Sequence, residues 1–127
     1  MSKKGQRDWR KNLTPRQRKA VEKLRFELAG MLGSSLVRLV LFGSRARGDY
    51  GRDSDIDIAV IVRGLTAELK HQILTRAAEI ELDFLIPLSV LVMDEAQFLF
   101  LLSRERRLAL DIEREGISIC EDTPGVQ

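Results

Sequence analysis

The sequence predicts an α/β fold, in which a small mixed β-sheet of three to four strands carries helices mainly on one face. Short apolar runs typical of buried strands alternate with longer stretches in which apolar residues recur every three or four positions, as in amphipathic helices. The chain has 127 residues, of which 44% are hydrophobic and 31% are charged, and these values indicate one soluble globular domain. We place that domain at residues 14–120.

Residues 1–13 form a basic N-terminal arm that we expect to be loosely attached to the domain. The first 19 residues contain eight basic side chains and one acidic side chain, although the whole chain has a net charge of only +2. Trp9 lies among these cations and could stack on a nucleic-acid base. A solvated terminus explains the same charges more simply, so we do not expect nucleic acid as a partner.

The first element of the domain is a helix from Pro15 to about Met31. Thr14 has a side chain suited to a helix N-cap, and proline is favoured at the first helical position. Four apolar residues then share one helix face, which should cover the sheet: Val21, Leu24, Leu28 and Met31.

Two apolar strands follow, from Leu36 to Phe42 and from Ile56 to Val62. The first is interrupted only by Arg38, as expected of a central strand that is buried on both faces. The connector between the strands is rich in Gly, Arg and Asp. Its polar groups therefore lie where the strands end, which is a common position for functional residues.

The next helix should begin after Thr66 and end near Leu82. His71 is the only histidine and falls outside the apolar stripe of this helix, so we expect an exposed side chain rather than a catalytic base. The third strand should run from Leu88 to Met93. Four residues form the inner stripe of the helix: Leu69, Ile73, Ala77 and Ile80.

A last helical region should begin at Asp94, bend near Ser103 and end at Glu115. Within it the run from Phe98 to Leu102 is apolar on every side of the helix, which is more than one sheet face can bury. We expect part of this run to lie in the core and part to form a homo-oligomer or hetero-oligomer interface.

Ile117 to Cys120 should add a short edge strand, and residues 121–127 form a tail. Cys120 is the only cysteine, so the chain can form no internal disulfide, which suits a reducing cytoplasm. No apolar run approaches the roughly 20 residues that a membrane helix needs. We therefore expect a cytoplasmic protein that does not span a membrane.

The second strand begins with a pair of acidic residues suited to metal binding. Asp55 and Asp57 are two residues apart, and alternate strand side chains share a face, so both carboxylates should point the same way. Two such anions attract a hard cation, and Mg²⁺ binds through one or two carboxylates together with substrate phosphates.

The other end of the connector offers groups suited to an anion. Gly43 and Ser44 leave the first strand with backbone N–H groups and a hydroxyl that could bind phosphate. Arg45, Arg47 and Arg52 lie nearby in the sequence, and their guanidinium groups match phosphate oxygens.

A plainer interpretation is a β-hairpin with a long polar loop, whose aspartates only cap a strand. Such a hairpin needs no Gly-Ser turn, and it needs no paired carboxylates at the start of an apolar run, where their desolvation costs free energy. We therefore favour a phosphate site.

The pattern of Gly43-Ser44, ten further residues and Asp55-x-Asp57 between apolar strands resembles the signature of the polymerase-beta-like nucleotidyltransferase superfamily. It is most similar to the minimal nucleotidyltransferase (MNT) domains, which include MntA-type antitoxins of HEPN/MNT toxin-antitoxin pairs. The resemblance implies that Gly43 and Ser44 bind the nucleoside triphosphate and that Asp55 and Asp57 bind two divalent metal ions, expected to be Mg²⁺. We assign Arg45 to the same nucleotide phosphates.

Active members of that superfamily also place a third carboxylate on a later strand, where it accepts the proton of the attacking hydroxyl. The matching position here is Ser89, and the nearest acid, Asp83, is expected at the end of the preceding helix. The sequence therefore leaves the general base unassigned. General-base catalysis contributes about a hundredfold to ten-thousandfold in rate, so its loss would slow transfer without removing the metal pair.

The expected function is Mg²⁺-dependent transfer of a nucleoside monophosphate, AMP from ATP, to a hydroxyl group, with pyrophosphate leaving. The resemblance implies that the acceptor is a tyrosine hydroxyl on a HEPN-domain toxin. The alternative is a catalytically weak or inactive antitoxin that neutralises a HEPN ribonuclease by direct binding. Ser89 and the apolar run from Phe98 to Leu102 favour this alternative.

Overall fold

Four strands form one mixed sheet in the computed structural model of the chain, which describes residues 7–51 and 53–121 except for the side chains of residues 120 and 121. The strands are β1 (Leu36–Phe42), β2 (Ile56–Val62), β3 (Leu88–Asp94) and β4 (Ile117–Glu121). Their order across the sheet is β3-β2-β1-β4. β1 is antiparallel to both β2 and β4, whereas β2 and β3 are parallel. The predicted α/β class and mixed sheet are confirmed.

Five α-helices occur in the same described ranges: α1 (Pro15–Leu32), α2 (Ser44–Arg47), α3 (Ala67–Phe84), α4 (Glu95–Ser103) and α5 (Arg107–Glu115). Three of the helix starts follow directly from local sequence, because the side chains of Thr14, Thr66 and Asp94 each accept a backbone N–H in the first turn. None of the helices in these ranges is long and apolar enough to cross a membrane.

The sheet has a core on each face, because alternate residues of the central strands point to opposite sides. The two longest helices, α1 and α3, pack on one face against residues that include Leu39 and Ile58. The shorter helices α4 and α5 cover part of the other face, where Phe98 and Ile112 pack near Ile61. The central position of β1 and β2 fixes the connector between them at one end of the sheet.

The expectation of a loosely attached N-terminal arm is wrong for residues 7–13. Trp9–Asn12 form a short 3-10 helix, and Trp9 and Leu13 are only 4% and 6% exposed within the main core. Trp9 is therefore unavailable for stacking on a nucleic-acid base. The sequence did not predict this burial, because Trp9 and Leu13 lie among charged residues and form no apolar run. The rest of the predicted arm, residues 1–6, and the tail from residue 122 onward lie outside the described residues.

The apolar run on α4 divides as predicted between core and surface. Phe98 is buried, whereas Leu99 and Phe100 are 53% and 60% exposed. His71 is also exposed, as predicted, and lies on α3. The exposed part of α4 is therefore available as a contact surface.

Candidate active site

The connector begins with a turn at Gly43 that brings the backbone against Asp57. Gly43 has φ 75° and ψ −156°, a conformation that is essentially restricted to glycine. A Cβ atom at this position would overlap with Oδ2 of Asp57 and lie 3.1 Å from its Cγ. The missing side chain of Gly43 thus allows the turn and the carboxylate to touch.

The short helix α2 starts at this turn and leaves donor groups near its first residue. The carbonyl oxygen of Gly43 accepts the N–H groups of Ala46 and Arg47, each at 3.1 Å. The N–H groups of Ser44 and Arg45 belong to the first helical turn, where no intrahelical acceptor exists. The turn that lies against Asp57 therefore leaves backbone donors without an intrahelical acceptor.

Asp57 lies on β2, with Phe42 of β1 as its partner on one side and Ser89 of β3 on the other. Burial raises the pKa of Asp57, a hydrogen bond from Ser89 opposes that shift, the charge of Asp55 adds to it, and the charge of Arg47 lowers the pKa. Asp55 is therefore close enough to Asp57 for the two charges to repel. It lies one residue before β2 and is exposed, so strand alternation alone does not orient its carboxylate.

Ser89 occupies the place on β3 where a third carboxylate would complete the site. The parallel register pairs it directly with Asp57, and its hydroxyl lowers the pKa of that carboxyl group against the effect of burial. Asp83 lies in the last turn of α3 and is exposed. The structure therefore brings together two carboxylates and one hydroxyl.

The two carboxylates suit a magnesium site better than a zinc site. Among the described residues, no group of three or more His, Cys, Asp or Glu side chains is placed to hold a metal ion. A closed protein cage of the zinc type needs such a group. Mg²⁺ needs only one or two carboxylates when substrate phosphates and water complete its shell. Asp57, directly against the turn and repelled by Asp55, meets that requirement.

Arg45 has a different environment from the one that we expected for a phosphate ligand. It is only 3% exposed, and its Nη1 and Nη2 atoms donate to the carbonyl oxygens of Asn12 and Ser54, each at 3.2 Å. Its guanidinium carbon lies 4.4 Å from the ring centre of Tyr50. In this arrangement the guanidinium group of Arg45 is inaccessible to a nucleotide phosphate.

Arg47 is exposed and stays near the site. Its side chain donates to Asp49 at 3.1 Å and to Glu115 at 3.3 Å, and its charge lowers the pKa of Asp57. Arg52 lies outside the described residues. Of the two connector arginines that the structure describes, Arg45 and Arg47, only Arg47 is accessible to an anion.

Sequence reasoning missed Asn12 as a neighbour of the connector. Its side-chain Nδ2 donates to the carbonyl oxygen of Arg45 at 2.8 Å, while its own carbonyl accepts from the Arg45 guanidinium at 3.2 Å. Asn12 and Arg45 are 33 residues apart, and no local pattern predicts their contact. The only available signal was the pair of apolar anchors at Trp9 and Leu13, which frame Asn12.

Most of the chain matches one family of known proteins. Residues 18–114 match the family model described as a nucleotidyltransferase domain. A protein of Methanocaldococcus jannaschii that bears the provisional name of a protein adenylyltransferase is 32% identical over 73 residues, which are 57% of this chain and 74% of the relative.

Two solved structures are similar to this chain in fold. A provisionally assigned nucleotidyltransferase from Sulfolobus solfataricus gives a TM-score of 0.54 at 23% identity, covering 81% of this chain and 78% of the other. A toxin-antitoxin structure with AMP-PNP gives a TM-score of 0.51 at 26% identity, covering 79% of this chain and 73% of the other.

The contact between Gly43 and Asp57 predicts a specific stability loss for Gly43→Ala. Gly33 is a matched control, because it has φ 54° and ψ −130° and no atom lies within 4 Å of the place that a Cβ would occupy. Gly33→Ala should cost about 1 kcal/mol for the backbone conformation alone. Gly43→Ala should cost about 1–3 kcal/mol more, because the Asp57 carboxylate must move. Urea denaturation measures both losses, and equal losses would contradict the contact.

The raised pKa of Asp57 predicts that Asp57→Asn stabilises the metal-free protein at neutral pH. The ionised carboxylate is disfavoured in the folded state, so the contribution of Asp57 to stability is full below the ordinary pKa of 3.8 and is lost as the pH rises through the raised value. At pH 7 in EDTA the variant should melt about 2–5 °C higher than the wild type. Thermal denaturation from pH 3 to pH 7 should show this difference growing with pH, and a constant difference would contradict the assignment.

Proposed function

The chain belongs to the nucleotidyltransferase domain family, and on that basis we propose that it transfers AMP from ATP to a hydroxyl group of a partner protein in a Mg²⁺-dependent reaction. The relative named as a protein adenylyltransferase supports a protein acceptor. The toxin-antitoxin structure with AMP-PNP supports an adenine nucleotide and a toxin partner. We further propose a HEPN-domain toxin as that partner, because the sequence resembles the MNT antitoxins.

The observation that carries this proposal is the contact between the Gly43 turn and the Asp57 carboxylate. Nucleotide transfer needs phosphate-binding donors and metal-binding carboxylates within reach of one phosphate chain. A hairpin loop with only capping aspartates needs no such contact. β1 and β2 do form an antiparallel pair, so the local packing at Gly43, and not the topology, separates the two interpretations.

Each residue of the site has a role in the proposed reaction. The N–H groups and hydroxyl at Gly43 and Ser44 hold the triphosphate, and Asp55 and Asp57 hold the magnesium ions. When bound, magnesium neutralises phosphate charge and favours deprotonation of the acceptor hydroxyl. Ser89 is the β3 partner of Asp57, and by lowering the pKa of that carboxyl group it favours the ionised form that would hold the cation.

The bond changes in the transfer step are balanced without a third carboxylate. The acceptor oxygen forms a bond to the α-phosphorus, and the bond between that phosphorus and the oxygen bridging to the β-phosphate breaks. Pyrophosphate leaves with the electron pair, and the hydroxyl proton passes to solvent. Ser89 is a neutral hydroxyl and cannot serve as an efficient base near neutral pH, so this proton transfer should limit the rate.

A second candidate function is neutralisation of the toxin by contact alone. It is favoured by Ser89 at the position of the third acid and by the exposed Leu99 and Phe100 on α4. Exposed apolar side chains of this size on one helix are typical of protein contact surfaces. This function would not need Asp55 or Asp57.

Transfer is tested by incubating the protein and the product of the adjacent gene with Mg²⁺ and ATP labelled at the α-phosphate. The wild type should place label on the partner, and Asp55→Asn or Asp57→Asn should reduce the labelling rate by at least about a thousandfold, because each removes a metal ligand. Gel autoradiography measures the label. Asp83→Asn is the matched control, since Asp83 is an exposed carboxylate on α3.

The same experiment separates the candidate functions. ATP labelled at the γ-phosphate should give no labelled partner, because that phosphate leaves in pyrophosphate. Labelling that persists in Asp57→Asn would overturn the proposed site. Absence of label, together with full protection of cells by the Asp55→Asn and Asp57→Asn variants, would replace transfer with neutralisation by contact.

Restoring the third acid should accelerate transfer. In Ser89→Asp the new carboxylate would lie beside Asp57, in register on β3, and could accept the hydroxyl proton. We expect the labelling rate at saturating Mg²⁺ to rise about a hundredfold, the lower end of general-base effects. Ser34→Asp, at an exposed serine before β1, should leave the rate unchanged. A rate that is unchanged or lower in Ser89→Asp would show that proton acceptance does not limit transfer.

A further inference from the structure

We propose that Arg45 is a positioning residue, which holds the loop carrying Asp55 at a set distance from the turn at Gly43 and Ser44. This inference rests on the proposed function, because it assigns Arg45 a role in the same site. It replaces the expectation that Arg45 binds nucleotide phosphate. The contacts of the guanidinium group, its burial and its lack of a carboxylate partner in the described part of the chain all support this role.

The side chain of Arg45 connects the two halves of the site. Its backbone belongs to α2, one residue after Ser44. Its Nη2 donates to the carbonyl oxygen of Ser54 at 3.2 Å, and Ser54 directly precedes Asp55. The guanidinium therefore links the phosphate-binding turn to the backbone next to the exposed carboxylate.

Further contacts hold the guanidinium and the loop in place. The Tyr50 ring centre lies 4.4 Å from the guanidinium carbon of Arg45, and Asn12 both accepts from the guanidinium and donates to the Arg45 carbonyl. The Ser54 hydroxyl accepts the N–H of Gly51 at 2.8 Å. Tyr50, Ser54 and Asn12 thus surround one buried cation.

This arrangement is costly for stability. Arg45 is 3% exposed, its Nε atom is buried without a hydrogen-bond partner, and among the described residues no carboxylate forms an ion pair with it. A buried donor left unsatisfied destabilises the folded state, and an unpaired buried charge adds to that cost. By contrast, the guanidinium of Arg38 on β1 donates to the carboxylate of Glu113 at 2.7 Å.

The guanidinium group suits the proposed role better than an ammonium group would. Its planar fork donates in fixed directions to two carbonyls, from Asn12 and Ser54, while its face stacks on Tyr50. A lysine keeps the charge but loses this geometry. Without the fork, the loop at Ser54 is free to relax, and Asp55 moves relative to Asp57.

The test compares Arg45→Lys with the control Arg38→Lys. Arg38 is partly buried, and like Arg45 it donates a hydrogen bond, to Glu113, and contacts an aromatic ring, that of Phe98 at 5.7 Å. Unlike Arg45, it lies on β1 away from the turn. Tyr50→Leu is a second variant that leaves the buried cation in place and removes only the ring, which is 39% exposed. It keeps the test decisive if Arg45→Lys does not fold.

The first measurement is amide hydrogen exchange in the metal-free protein. Arg45→Lys should speed exchange of residues 53–56 about tenfold, because the backbone at Ser54 loses its anchor. Tyr50→Leu should act in the same direction with a smaller effect, and Arg38→Lys should leave these amides unchanged. Unchanged exchange in both Arg45→Lys and Tyr50→Leu would overturn the proposal whether or not the protein transfers AMP.

The second measurement is the Mg²⁺ concentration that gives half-maximal AMP transfer. Arg45→Lys should raise it about tenfold, as for other residues that orient metal ligands, while the affinity for ATP without metal changes less than about twofold. A purely structural role would lower activity evenly at all Mg²⁺ concentrations, and that result would overturn the positioning role. If the wild type transfers no AMP, the proposed function fails, and hydrogen exchange still decides whether Arg45 holds the loop.

Discussion

The candidate site depends on the absence of a side chain at Gly43. Because no Cβ is present, the turn after β1 can lie directly against the Asp57 carboxylate on β2. Any larger residue would separate the donors of the turn from the carboxylate. It would also be strained, because the backbone at position 43 has a positive φ. The antiparallel pairing of β1 and β2 places Phe42 beside Asp57 in the ladder, so that the next residue, Gly43, is within reach of the carboxylate.

The same contact explains why the site is an unfavourable place for a negative charge. Asp57 is half-buried at the end of a central strand, and Asp55 repels it, so its pKa is raised. Among the described residues, a hydrogen bond from Ser89 and the charge of Arg47 oppose that shift. A cation between two neighbouring carboxylates would relieve their repulsion, which is the physical ground for the magnesium site that we propose. The fold tolerates the free-energy cost of this buried charge because the apolar residues of β2 pack in both cores and stabilise the strand.

The N-terminal segment contacts both the hydrophobic core and the connector that carries the site. Trp9 and Leu13 anchor residues 9–13 in the core, and Asn12 between them is hydrogen-bonded to Arg45 in both directions. A segment that looks like a solvated basic terminus is therefore part of the support of the connector. It brings a backbone acceptor to a buried guanidinium that has no carboxylate partner among the described residues.

The sequence by itself determined the long helices, the strands, the helix caps and the motif of the nucleotidyltransferase family, and the comparisons confirm that family. These features depend on residues close together in the chain, such as Thr14 with Gln17 or Gly43 with Ser44. Only the tertiary structure decided the burial of Trp9, the pairing of Ser89 with Asp57 and the carbonyl partners of Arg45. Those contacts join segments that are distant in the chain or depend on strand register and packing, which no local pattern of apolar and charged residues encodes.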